Sequence, residues 1–319
     1  MGAGLLVAYF VWVPQTGPGS LYQFFIDPAT TSYSLIDADV ARLAADDFLE
    51  RQQAARVYYR PLRDRIETKL NDWPGVAISY YFEDFDTWSW IGVHEREGYI
   101  PASLAKIPTL AAVLKKLEIE DDEDLNTPLV VASTDFDPRS GISQQGDIGT
   151  TKSIAELAQL FLGASDNTAG WTLKRILDEH DLIEARVAMG MPPLDEPGAL
   201  VSPKTYSNVF RSLYRSTYLP REMSNFILGI LANSLYPEGI VAGVPESVRV
   251  ANKVGAFAEY DAYHDCGVVY HPEHTYFICV MTQGATSFSD ANTIFQELSH
   301  ITYDYVTYGD EHEPDHAHE

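Results

Sequence analysis

Apolar residues recur at helical spacing through Leu35, Ile36, Val40, Leu43, Ala44 and Phe48, and again through Val57, Leu62, Ile66 and Leu70. The spacing predicts two helices, with Pro61 expected to break or kink the connection between them. After the stop at Trp73-Pro74-Gly75 the pattern changes. Val76 to Phe82 is β-branched and aromatic, a polar stretch turns the chain, and Trp88 to His94 returns, so a hairpin is expected. From Ala102 the period is helical again, with Ile107, Leu110, Ala111, Leu114 and Leu117 on one face. The charged run Glu118 to Asn126 reads as a solvated loop. Further helices are predicted over Ser153–Leu162, Ala169–Leu177, Pro203–Tyr214 and Arg221–Leu231, so residues 103–245 read as mainly helical. Strands return at Val248–Val254, Asp265–Tyr270 and Thr275–Thr282, and a last helix runs from Asp290 to Tyr305. Strands at both ends and helices between them predict an α/β (α+β) fold: an antiparallel sheet of about five strands flanked by helices, with an inserted all-helical lobe.

The turn His271 to His274 sets a register. If Tyr270 pairs with Thr275, Cys266 falls opposite Cys279, within reach of a cross-strand disulfide. Two reduced core cysteines fit the sequence equally well. Two cysteines exclude a disulfide-rich scaffold and a cysteine-built zinc site.

Composition narrows the classes. The 319 residues are 45% hydrophobic and 21% charged, which is globular rather than disordered. The formal charge of −24 repels phosphate backbones, so nucleic acid is not an expected partner. Gly4 to Val13 is an unbroken apolar run, shorter than the roughly 20 residues that span a bilayer. It reads as part of an anchor or signal, with Pro14 to Ser20 as linker, or else as an apolar arm packed on the protein. Residues 1–27 are thus an N-terminal segment, 28–70 N-terminal helices, 71–308 the main domain and 309–319 an acidic tail. His312, His316 and His318 in that tail read as solvated rather than as a metal site.

Three short motifs carry chemistry. Ser103-Leu104-Ala105-Lys106 opens a helix and places serine and lysine one turn apart. The positive end of the helix dipole favours an alkoxide there, and a desolvated lysine can take the serine's proton. Ser165-Asp166-Asn167 lies between two predicted helices; the hydroxyl can relay a proton, and the amide can hold a carbonyl and a lysine together. As a local pattern it is also a helix cap. Lys253-Val254-Gly255 lies on a late strand, where the lysine can attract a carboxylate and the glycine lets a substrate backbone approach.

In this order the motifs resemble the signature set of penicillin-recognising serine enzymes. Ser153 to Leu177 and Ile240 to Phe257 are similar to class A β-lactamases over longer stretches. The resemblance implies roles. Ser103 would be the acylated nucleophile and Lys106 its base or proton relay. Ser165 would pass a proton to the leaving nitrogen with Lys253 alongside, and Asn167 would hold the acyl side-chain amide. The backbone N–H groups of Ser103 and Ala256 would form the oxyanion hole beside Gly255.

Two features depart from the family pattern. Val254 stands where K-[ST]-G has a hydroxyl that bonds the substrate carboxylate. The segment Met189 to Pro203 contains no E-x-x-x-N; Glu196 is the nearest candidate for a deacylation base, with Asp195 beside it. The expected activity is opening of β-lactam amides through a Ser103 acyl-enzyme. A D-Ala-D-Ala carboxypeptidase with slow deacylation and a silent peptidoglycan-binding module are the alternatives. Serine glutaminases share S-x-x-K but account less well for Lys253-Val254-Gly255. The implied partner is a β-lactam or a D-Ala-D-Ala stem peptide, with no cofactor or metal, and the implied location is outside the cytoplasm.

Overall fold

The computed structural model describes Leu35 and residues 58–120, 124–193 and 200–310. The apolar start, the helix expected over Leu35–Leu49, Glu196 and the histidine-rich tail lie outside the described residues, Leu35 excepted. Among the described residues no helix is long and apolar enough to cross a membrane.

Five strands form one antiparallel sheet: β1 (Ala77–Asp84), β2 (Trp90–Val93), β5 (Val250–Phe257), β6 (Ala262–Tyr270) and β7 (Thr275–Gln283), in the order β2-β1-β7-β6-β5. The first strand of the chain thus pairs with the last, and the sheet closes around the inserted segment. The side-chain period of two sorts each strand onto two faces. On one face Tyr80, Phe82, Tyr276, Ile278 and Val280 pack against α1 (Arg60–Lys69) and α8 (Phe288–Tyr308) through Leu62, Ile66, Phe295, Leu298 and Tyr305. Pro61 does not interrupt this region; it lies in the first turn of α1, where its missing N–H has no helical partner to lose.

The other face meets the helical lobe, made of α2 (Lys106–Ile119), α3 (Ile154–Ala158), α4 (Asn167–Lys174), α5 (Glu179–Ala188), α6 (Pro203–Tyr214) and α7 (Arg221–Leu231). Arg211 of α6 clamps onto it, its Nε and Nη2 donating to the buried Glu83 carboxylate at 3.1 and 2.5 Å. The register Tyr270↔Thr275 holds, and Cys266 and Cys279 are opposed and disulfide-bonded in the sheet interior.

The lobe departs from the sequence expectation in three places. A two-stranded ladder, β3 (Pro128–Val130) with β4 (Thr151–Ser153), interrupts the helical stretch. Helix α5 forms where none was expected, capped by Asp178 accepting from the Asp181 N–H. The helix after Ser153 ends at Ala158 and continues as a π-helical turn over Gln159–Gly163. The Asp166 N–H then returns to the Leu160 carbonyl at 2.9 Å, and this folding-back presents Ser165.

Candidate active site

The S-x-x-K segment starts as a 3₁₀ turn, Ala102–Ala105, that runs directly into α2. Ala102 sits at φ 47°, a left-handed conformation that a non-glycine residue holds only when its surroundings enforce it. They do so here. The buried Tyr206 hydroxyl of α6 donates to the Leu104 carbonyl at 2.9 Å, and His264 Nε2 donates to the Ile100 carbonyl at 2.8 Å. Burial lowers the His264 pKa to about 4, so the ring is a neutral brace. The turn leaves Ser103 half-buried, one helical turn before Lys106.

Lys106 is 9% exposed and its ammonium reaches the S-D-N segment. Nζ donates to the Ser165 carbonyl, to Ser165 Oγ at 3.2 Å and to Asn167 Oδ1 at 2.8 Å. Burial pushes its pKa down to about 8, against the pull of Asp166. Lys253 approaches from β5, also buried, donating to Ser165 Oγ and to the Val254 carbonyl, each at 3.1 Å. Burial and the charge of Lys106 lower its pKa to about 7. One hydroxyl oxygen therefore receives two ammonium donors. An oxygen with two lone pairs accepts both and keeps its own proton free to give.

The S-D-N segment is held rigidly. Ser165 has φ 55°, the second left-handed non-glycine residue at the site. The fully buried Asp166 carboxylate caps α4 through the Ala169 N–H at 3.0 Å. It also accepts the N–H groups of Ile142 and Ser143 at 2.8 and 2.7 Å. Gly141, at φ 103°, lies so close that an added Cβ would stand 2.3 Å from Asp166 Cα. Ser140 Oγ donates to the Ser165 carbonyl at 2.8 Å. Asn167 Nδ2 donates to Asp137 at 3.3 Å, which turns the amide oxygen toward Lys106. Arg139 pairs with that carboxylate and holds it well below the usual carboxylate range.

The structure thus brings together Ser103, Lys106, Ser165, Asn167 and Lys253 as three motifs meeting at one point. Gly255 has a different use from the one expected. A Cβ there would meet the Pro101 carbonyl oxygen at 3.1 Å and Leu104 Cγ at 3.2 Å, so the close approach is made by the Ser103 turn and not by a substrate backbone. Ala256 is exposed at the end of β5. Asp137, Ser140, Tyr206 and His264 carry no sequence motif, since each acts across a long separation. Asp166 was visible only as a helix cap.

A family model described as the β-lactamase enzyme family matches residues 61–306. The chain belongs to that family. Its fold is that of a β-lactamase-like serine hydrolase, and solved structures agree. PBP-A, solved as an acyl-enzyme complex with penicillin G, is 20% identical with a TM-score of 0.70, covering 77% of this chain and 96% of its own. A β-lactamase from Sphaerobacter thermophilus is 18% identical with a TM-score of 0.69, covering 78% and 97%. A class A β-lactamase from Mycobacterium abscessus is 19% identical with a TM-score of 0.68, covering 77% and 99%. No curated protein sequence matches the chain.

Proposed function

We propose that this member of the β-lactamase family opens β-lactam amides through an acyl-enzyme on Ser103. The observation that carries the reading is the Ser165 hydroxyl, set between two buried lysines whose ammonium groups are destabilised by burial. A neutral Lys106 takes the proton of Ser103 as Oγ attacks the amide carbon. The backbone N–H groups of Ser103 and Ala256 receive the developing oxyanion. The C–N bond breaks, and Ser165 gives its proton to the leaving nitrogen, with Lys253 alongside and Lys106 restoring the relay. Asn167 holds the acyl side chain. Water then cleaves the Ser103 ester.

A second reading concerns that last step and follows from the connection between α5 and α6. It contains no E-x-x-x-N, and among the described residues no carboxylate bonds Lys106. Both favour a long-lived acyl-enzyme, the behaviour of a penicillin-binding D,D-peptidase. The cross-strand disulfide fits an oxidising compartment, which supports a location outside the cytoplasm. The test is an intact-mass time course with benzylpenicillin. An adduct that forms and disappears while hydrolysed penicillin accumulates supports the β-lactamase; a persistent adduct supports the second reading. Absence of both adduct and hydrolysis overturns both.

A further inference from the structure

We infer that the substrate of this site carries no anionic group on the leaving side of its scissile bond, an inference that rests on the acyl-enzyme reading above. The leaving side is where Ser165, Lys253 and Val254 meet. Val254 offers only hydrocarbon there, and its carbonyl is bonded by Lys253. The residue paired with it on β6 is Asp265, a buried carboxylate whose two oxygens accept from the Ile240 N–H and Asn252 Nδ2, each at 2.9 Å. His264, paired with Gly255, has its Nε2 proton committed to Ile100. Tyr263, paired with Ala256, packs its ring against Phe288.

The nearby cations do not fill the gap. Lys253 is 1% exposed, so an incoming carboxylate cannot touch it. Lys106 is engaged by Ser165 and Asn167. Arg139 grips Asp137 on the Asn167 side, where the acyl half would lie. A carboxylate entering beside Val254 would lose its water and meet no donor. The net charge of −24 opposes its approach as well. An uncharged leaving group, as in an internal peptide or an ester, meets neither obstacle.

The test compares benzylpenicillin with its methyl ester as acylating agents, following the adduct by intact mass. Each rate is divided by that compound's own hydroxide hydrolysis rate. High salt removes the long-range field and leaves the local contact. The unmodified protein should be labelled by the ester at least as fast as by the acid. Val254→Thr should raise the acid-to-ester ratio by about tenfold or more, the effect of one hydrogen bond to a charged group. The ratio cancels any loss of folded protein. Faster labelling by the acid in the unmodified protein, or an unchanged ratio in Val254→Thr, overturns the inference and leaves Ser103 as nucleophile. Labelling by neither compound overturns the acyl-enzyme reading and the inference with it.

Discussion

Against α1 and α8 the sheet presents Tyr80, Phe82, Ile278 and Val280. Against the helical lobe the same strands present Glu83, Lys253, His264 and the Cys266–Cys279 pair, all buried. The first face is an apolar core whose burial drives folding. The second takes ionisable groups out of water, which costs stability unless each finds a partner. Each does: Glu83 has Arg211, His264 has the Ile100 carbonyl, and Lys253 has Ser165. Stability and chemistry are therefore assigned to opposite faces of one sheet, and substitutions on the two faces should fail in different ways.

The largest effect on chemistry is expected from Lys106→Met. Removing the base should slow benzylpenicillin labelling by about 10²–10⁴-fold. The melting temperature should stay level or rise, because a buried charge gives way to a hydrocarbon. Labelling rate and thermal melting on the same preparation check both halves. Phe82→Ala is the converse. It should cost about 3–5 kcal/mol in denaturant unfolding. Its labelling rate per folded molecule should stay within about twofold of the unmodified protein; a larger drop would break the division between the faces.

Asp166→Ala should affect both properties. It strands the N–H groups of Ile142, Ser143 and Ala169, at about 1–3 kcal/mol for a buried unsatisfied group. It also releases the loop that positions Ser165 and Asn167, so unfolding midpoint and labelling rate should fall together.

The smallest effect is a pH signature. Lys106 and Lys253 have folded pKa values of about 8 and about 7, below the ordinary lysine value of 10.5. Between those values the unfolded chain holds protons that the folded chain has released, so stability rises with pH across that window. Labelling should rise through the same region as Lys106 loses its proton. Lys253→Met should flatten the stability slope, and unfolding midpoints taken across the pH range would show it.

Much of this was legible in the chain. The sheet strands announce themselves by β-branched and aromatic residues, and the short turn at His271 to His274 placed Cys266 opposite Cys279 before any coordinates. Helix α5 was illegible because it buries only Ala185 and Arg186 and so carries no apolar stripe. Strands β3 and β4 are three residues each and mostly exposed, too short for an alternating pattern. At the site, the motifs placed Ser103, Lys106, Ser165, Asn167 and Lys253. They did not show that Gly255 packs under the Ser103 turn, nor that Asp137 orients Asn167, because those contacts join segments far apart in sequence.

The central claim is that Ser103 is acylated while Ser165, between its two lysines, only relays a proton. Proteolysis of the benzylpenicillin adduct followed by tandem mass spectrometry locates the acyl group directly. The account predicts it on Ser103, with no adduct in Ser103→Ala. An acyl group on Ser165, or labelling that survives in Ser103→Ala, would contradict it.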